Sequence, residues 1–320
     1  MQGSRLALRA IKWFAGILLL LLAAALGAIW WVGAWNLVFP DQSHDTVPPE
    51  LPADLAEPAL LVFSKTNAFR HREGIAGGAR VLEDIAGERG WGLFHTENGA
   101  VFNTGDLARF KVVVFLNASG DMLDAGQEAA FQTWLENGGN WLGIHAAGDS
   151  SHSEWQWYRD NLIGADFTAH IMGPQFQTAT LVLENRGHPA LRDLPASWEH
   201  EEEWYSWERS PRAEGFVVLA TVDEGSYNPV QKILGSERDL RMGDHPVVWA
   251  NCVGTGRTFY ITMGHRGDAF EQPWNRRLLE NALVWLTGPP TELGCAEQAP
   301  YRATKSAPTA TKGMPDSPGG

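Results

Sequence analysis

A single histidine stands where a buried strand is predicted to end in a sharp turn. His145 lies at the centre of the segment Gly143-Ile144-His145-Ala146-Ala147, and small residues around one reactive side chain are typical of a nucleophile elbow. Imidazole does not serve as the usual acyl-forming nucleophile of that turn, but it binds metals and transfers protons near neutral pH. The pattern therefore favours His145 as a general base or metal ligand and argues against a Cys-dependent glutaminase.

Three further histidines are expected near this turn. His71 follows the first predicted strand, His265 follows a predicted hairpin, and His170 lies between them in the chain. Ligands of open parallel sheets bind at the carboxyl ends of the strands, and neutral imidazoles suit zinc and similar divalent ions. His71, His145 and His265 are therefore the candidate metal ligands. Alternatively, each imidazole only bonds a loop backbone, because the sequence has no compact motif such as H-E-x-x-H.

Two adjacent carboxylates precede two aromatic residues. Glu202 and Glu203 come directly before Trp204 and Tyr205. Aromatic rings stack on the apolar faces of sugars, and carboxylates accept hydroxyl hydrogens or move protons, so the segment resembles a sugar subsite. The other interpretation is a solvated acidic loop over 199–203.

Asp149 follows His145 closely enough to orient its ring, although it could equally cap the next helix. The resulting catalytic candidates are His145, Glu203 and His71. The substrate-binding candidates are Asn67, Arg70, Asp149, His170, Glu202, Trp204, Tyr205 and His265.

The apolar patterning predicts the elements that position these residues. A β-branched run buried on both faces, such as residues 111–116, is typical of the interior of a parallel sheet. Asp124 and Gln127 form a predicted capping box for a helix ending near Leu135. Alternation of strands with helical segments predicts an α/β doubly wound, mostly parallel sheet. The predicted strands of the first half are 59–64, 92–95, 111–116 and 140–145, and those of the second half are 175–183, 216–221, 246–251 and 257–263, before a helix over 274–286.

The N-terminal sequence predicts a membrane anchor. A basic arm, residues 1–12, precedes an almost uninterrupted apolar run within 13–39, which is long enough as a helix to cross a bilayer. Basic residues on this side place the N-terminus in the cytoplasm, so we expect a single-pass protein of the cell inner membrane with its domain in the periplasm or outside the cell. A signal peptide cleaved near Ala23 to Ala28 is the alternative.

The flanks of the folded region differ from it in composition. We predict that residues 40–58 form an extended linker and that residues 59–288 form the folded domain. Residues 289–320 are predicted to be a disordered tail rich in small residues and Pro. Cys252 and Cys295 are the only cysteines and could form one disulfide outside the cytoplasm. A net charge of −13 argues against nucleic acid as a partner.

Taken in order, several short motifs resemble the ThuA-like (trehalose utilisation) domain family, which has a flavodoxin-like fold related to class I glutamine amidotransferases. The resemblance covers residues 60–287, nearly all of the predicted domain. Its motifs are Thr66-Asn67-Ala68-Phe69-Arg70-His71, Gly143 to Asp149, Trp157-Tyr158, Gly164 to Phe167 with His170, His188-Pro189, Glu202 to Tyr205, Asp244 to Trp249, and Gly256 to Tyr260 with Gly264-His265.

The resemblance implies a link to sugar metabolism. One departure is Glu202-Glu203, where the family pattern leads us to expect Asp-Glu. We expect an extracytoplasmic enzyme, such as a sugar-processing hydrolase, lyase or isomerase, that acts on a carbohydrate or oxidised sugar derivative, with metal assistance as an option. The alternative is a non-catalytic carbohydrate-binding module that has lost the amidotransferase nucleophile.

Overall fold

A computed structural model describes residues 2–152 and 154–289. The strands are β1 Ala59–Phe63, β2 Gly92–Thr96, β3 Val112–Leu116, β4 Asn140–Ile144, β5 Phe167–His170, β6 Gln177–Leu183, β7 Ser197–Glu202, β8 Tyr205–Trp207, β9 Val217–Val222, β10 Val230–Ile233, β11 Ser236–Asp239, β12 Pro246–Val253 and β13 Gly256–Ile261. The helices are α1 Gln2–Trp31, α2 Trp35–Val38, α3 Arg72–Arg89, α4 Thr104–Leu107, α5 Ala125–Glu136, α6 Gln156–Tyr158 with a π turn over Arg159–Ile163, α7 Gly267–Glu271 and α8 Pro273–Thr287.

The main sheet has nine strands in the order β2-β1-β3-β4-β13-β12-β9-β6-β7. Its first five strands are parallel. The β12–β13 hairpin reverses the direction, and the remaining neighbours pair antiparallel. The predicted α/β fold is confirmed, and the sheet is mixed because its second half is built from hairpins and antiparallel returns.

Both faces of the parallel half are covered, as its uninterrupted apolar strands require. On β1, Leu60 belongs to a buried cluster with residues of α3 and α8, whereas Leu61 belongs to a second cluster with residues of α5. The predicted capping box is present, since the Asp124 carboxylate accepts the backbone N–H groups of Gly126 and Gln127. The carboxyl ends of the parallel strands are thereby held at one edge of the domain.

The N-terminal helix α1 contains a 23-residue stretch, Arg9–Trp31, with a mean hydropathy of 2.3 and no buried residue. By length and composition it could cross a membrane, and a signal sequence has the same properties.

Residues 40–58 contain no helix or strand, yet they do not extend away from the domain. Asp45 accepts hydrogen bonds from Lys65 at 2.6 Å and from the backbone of Gly99 at 2.9 Å, and Gln127 donates to the main-chain oxygen of Asp45 at 2.7 Å. The linker thus runs along the domain surface instead of lifting it off as a spacer. Of the predicted tail, everything after Pro289, including Cys295, lies outside the described residues.

Candidate functional site

His145 is held at the tip of the predicted elbow. It directly follows β4, is fully buried, and has a left-handed φ of 51°. The turn needs a residue without a side chain at Gly148, because a Cβ there would lie 2.3 Å from the hydroxyl oxygen of Tyr260. That hydroxyl donates to the main-chain oxygen of His145 at 2.6 Å. Packing therefore fixes both the backbone and the direction of the imidazole.

The hydrogen bonds of the His145 ring decide which nitrogen faces the other histidines. Nδ1 lies 2.7 Å from the main-chain oxygen of Thr262 and must donate to it. Nε2 lies 3.2 Å from Nδ1 of His265, 3.0 Å from the Tyr205 hydroxyl and 3.6 Å from Oε2 of Glu203. A main-chain acceptor on one ring nitrogen that directs the other inward is the usual arrangement of a metal-binding histidine.

His71 occupies the position before the first residue of α3, makes no capping hydrogen bond, and adds a second ring. The residue is 6% exposed, and its Nδ1 has no hydrogen-bond partner. Its ring centroid lies 4.6 Å from those of His145 and His265. Burial, followed by the nearby positive charges of His145 and His265, holds the pKa of His71 well below its usual value. His71 is therefore a neutral imidazole with a lone pair available.

Glu203 supplies the negative charge of the site. Its Oε2 lies 3.0 Å from Nδ1 of His265, its Oε1 lies 3.1 Å from Nδ1 of His170, and Gln175 donates to Oε1. Burial acts to raise the pKa of Glu203, but the His145 imidazole 3.6 Å away and a hydrogen bond from His265 lower it strongly. Burial likewise acts to lower the pKa of His145, but the Glu203 carboxylate, 3.6 Å from Nε2, outweighs this and raises it. The carboxylate stays ionised.

These side chains together form a compact donor set, which we call the His/Glu cluster: His71, His145, Glu203 and His265. One ligand atom from each lies within 4.8 Å of all the others. Three imidazoles and one carboxylate suit zinc and other divalent transition metals. The unpartnered Nδ1 of buried His71 fits such an ion, because a metal bond would satisfy it.

Glu202 lies behind the His/Glu cluster instead of beside a ligand. It is 1% exposed, its Oε1 accepts the backbone N–H of Glu203 at 2.9 Å, and its Oε2 accepts that of Gly264 at 2.7 Å. Burial acts to raise the pKa of Glu202, but the His200 imidazole, whose Nε2 lies 3.8 Å from Oε2, lowers it, so this carboxylate is also ionised. Glu202 thereby ties the segment that carries Glu203 to the one that carries His265.

A cavity of about 690 Å³ opens onto the cluster. Of the predicted site residues, His71, Asp149, His170, Glu203, Tyr205 and His265 line it. The other five do not. His145 and Glu202 are not part of the lining. Asn67 donates to the main-chain oxygen of Asp121, Arg70 pairs with Glu97, and Trp204 is fully buried with its indole N–H bonded to Gln177.

Some site residues were not predicted. Gln175 lines the cavity and contacts Glu203, but nothing in its local sequence signals this. Asn117, with a left-handed φ of 52°, donates to the main-chain oxygen of Gly264 at 3.0 Å and accepts from the backbone of Ala146 at 3.4 Å. Its position after a buried strand is a signal that could have identified it.

The family comparison agrees with this geometry. The model of the ThuA family, described as trehalose utilisation, matches residues 59–286. The chain belongs to the ThuA family. A crystal structure of a ThuA-like protein from Bacteroides uniformis is 26% identical, with a TM-score of 0.63, over 76% of this chain and 99% of that one.

A second ThuA-like structure, from Parabacteroides merdae, is 20% identical with a TM-score of 0.54, over 73% of this chain and 92% of that one, and it shows the shared fold. No curated protein matches the chain. The segments that carry all four members of the His/Glu cluster lie within the ThuA match.

Proposed function

We propose that this ThuA domain binds a divalent transition metal such as zinc through the His/Glu cluster and acts on a carbohydrate or oxidised sugar derivative in the adjoining cavity. The observation that carries the proposal is the convergence of four ligand atoms within 4.8 Å from segments that are far apart in the chain. Burial keeps His71 neutral with a lone pair available, and Glu203 is ionised. The bound metal would act as a Lewis acid toward a sugar oxygen.

The side chains around the cluster supply the remaining chemistry. Burial, followed by the negative charge of Glu203, raises the pKa of Tyr205 well above its usual value, so its hydroxyl stays protonated and donates hydrogen bonds. That hydroxyl bonds Nε2 of His145. The same lone pair cannot serve a metal as well, so a metal held by His145 would leave the Tyr205 hydroxyl available for a ligand in the cavity.

Proton transfer is assigned to the cavity wall. His145 is fully buried and does not line the cavity, which favours its role as ligand over its role as base. His170 lines the cavity 3.1 Å from Glu203, and this pair is placed to accept a proton from a sugar hydroxyl and return it. Phe69 and Phe167 are also in the wall and offer apolar faces for a sugar ring.

The proposed location is the outer side of the cell inner membrane. The apolar stretch of α1 would span the bilayer, and Arg5, Arg9 and Lys12 would keep the N-terminus in the cytoplasm. Retention of this helix in the mature protein is tested by N-terminal sequencing of the membrane fraction.

The function is tested by calorimetry with metal-loaded protein against neutral, acidic and keto sugars, followed by product analysis of every sugar that binds. Turnover that falls about 10²-fold in Tyr205→Phe and disappears on chelation supports the proposal. Binding without conversion would support the alternative, a carbohydrate-binding module. Absence of both metal and sugar binding in folded protein would reject both functions.

A further inference from the structure

The cavity is walled partly by the segment that follows the apolar helix. Val32 and Leu37 line it together with His71, Glu203 and His265 of the cluster. The residues on the N-terminal side are therefore part of the same enclosure as the candidate metal ligands, although sequence analysis assigned them only to an anchor.

This segment is fixed to the domain by specific bonds. The backbone N–H of Arg70 donates to the main-chain oxygen of Gly33 at 2.9 Å, and Asn36 donates to that of Thr66 at 2.6 Å. Gly33 has a φ of +86°, and a Cβ there would lie 2.2 Å from the main-chain oxygen of Arg70. Such close backbone contact requires glycine.

The contacts with the N-terminal segment are made on both sides of His71, a member of the His/Glu cluster. Arg72 donates to the main-chain oxygen of Trp30 at 3.0 Å, and its guanidinium lies 4.1 Å from the Trp30 ring centroid. Arg70 and Arg72 both bond the anchor segment, and His71 stands between them. The end of the apolar helix and the metal ligand are thus held together by one short stretch of chain.

The exposed side chains of this segment are apolar and continue those of the apolar helix. Trp31, Val32, Leu37 and Val38 are 74%, 57%, 59% and 50% exposed. Exposed tryptophans at the end of an apolar helix are typical of the membrane interface. Residues 40–58 also run along the domain, so the cavity lies beside the end of the apolar helix.

We propose that the cavity opens at the membrane surface and takes a lipid-borne ligand, with a polar sugar-like head group at the His/Glu cluster and its acyl or isoprenoid tail still in the bilayer. This inference rests on the proposed function and names the substrate class of that site. A polar head group fits Gln175, His170 and the cluster, while the apolar wall of Val32 and Leu37 fits the start of a tail.

The proposed opening of the cavity at the membrane surface is tested without any metal. Full-chain protein in phosphatidylcholine nanodiscs carries p-benzoylphenylalanine in place of Ala68, which lines the cavity on the domain side. The matched control places it at Glu136, an exposed residue at the opposite edge of the sheet, before β4. We expect about tenfold more phospholipid adduct at position 68 than at 136 after irradiation, as for an interfacial site. Equal yields, or no adduct at 68, would overturn the proposal.

The reach of a lipid head group is tested with a chelator. Cobalt-loaded protein in the same nanodiscs is treated either with a diacylglycerol lipid bearing nitrilotriacetate or with soluble nitrilotriacetate at the same total concentration. Because a lipid tether raises the effective concentration at the membrane surface, we expect cobalt absorption to decay about tenfold faster with the lipid chelator. Equal or faster loss with the soluble chelator would overturn the inference. Failure of cobalt to bind would instead reject the proposed metal centre. The crosslinking result would still decide whether the cavity opens at the membrane surface.

Discussion

Nδ1 of His145 lies 2.7 Å from the main-chain oxygen of Thr262, and this bond follows from the register of two parallel strands. Ile144 at the end of β4 pairs with Ile261 at the end of β13, so the next residue of each strand meets its counterpart across the sheet edge. The bond directs Nε2 toward Glu203, Tyr205 and His265. The sheet itself therefore selects the tautomer on which the proposed metal centre depends.

Replacing Tyr205 by Phe should separate binding of the metal from use of the sugar. The change removes the hydroxyl that contacts His145 without removing a cluster ligand. We expect metal affinity to change by no more than a few fold and sugar turnover to fall about 10²-fold, the usual effect of losing one positioned hydrogen-bond donor. Tyr227→Phe is the matched control, because the Tyr227 hydroxyl is buried without a hydrogen-bond partner. Equal losses in both variants would contradict the assigned role.

Glu202→Gln should weaken metal binding although no ligand is lost. The amide leaves one oxygen for two backbone N–H groups, so either Glu203 or Gly264 loses its acceptor. Outer-shell changes of this kind typically cost about 10–100-fold in metal affinity. Competition titration with a chromophoric chelator measures the loss. Glu199→Gln, on the exposed face of the same strand, should leave affinity unchanged; a similar loss there would point to strand damage.

His71→Leu should have opposite effects with and without metal. Without metal, the substitution removes a buried nitrogen that has no partner, and such groups cost about 1–3 kcal/mol. The metal-free variant should therefore equal or exceed the wild type in free energy of unfolding. Added zinc should stabilise the wild type far more than the variant. Denaturant titration with chelator and with zinc tests both parts, and a large loss of stability in the metal-free variant would be evidence that His71 is a packing residue.

A remote histidine should make stability depend on pH. Burial, followed by the charge of Arg257, lowers the pKa of His188 to about 4 from its usual 6.5. Between these values the unfolded chain binds the proton and the folded chain does not, so folding stability is lost as pH falls from 6.5 toward 4. The loss amounts to at most about 3 kcal/mol.

His188→Asn removes the titrating imidazole and keeps its hydrogen bond, because Asn can still accept the backbone N–H of Ala190, as His188 does at 3.2 Å. The variant should lose less stability than the wild type over the same pH range, as measured by urea unfolding in the presence of a chelator. Parallel curves for the two proteins would show that His188 does not titrate in this way.

The sequence was most informative where a local pattern of residues is compatible with only one local structure. The uninterrupted apolar run at β3 predicted a strand buried on both faces, and all five of its residues are buried. The small residues around His145 predicted a sharp turn, and in the structure this turn leaves no room for a side chain at Gly148. In each case the local physical constraint is visible without knowledge of the rest of the fold.

Side-chain direction in the second half was harder to predict. The acidic run before Trp204 was weighed as a solvated loop or a sugar subsite, but residues 197–202 form β7, in which Trp198, His200 and Glu202 face inward. Alternation with period two was present in the sequence and was masked by the charges. Loop dihedrals determine that Glu203 faces the cavity and Trp204 does not, and these depend on contacts from distant segments.

The most direct test of the His/Glu cluster is the metal content of the purified full chain, compared with that of His145→Ala and of the matched control His95→Gln. His95 is a partly buried histidine outside the cluster. Elemental analysis should find about one zinc-like ion per chain in the wild type and the control, as a single four-ligand site requires, and almost none in His145→Ala. A folded wild-type chain that retains no ion after exposure to zinc, or a His145→Ala variant that retains as much as the wild type, would contradict the proposed centre.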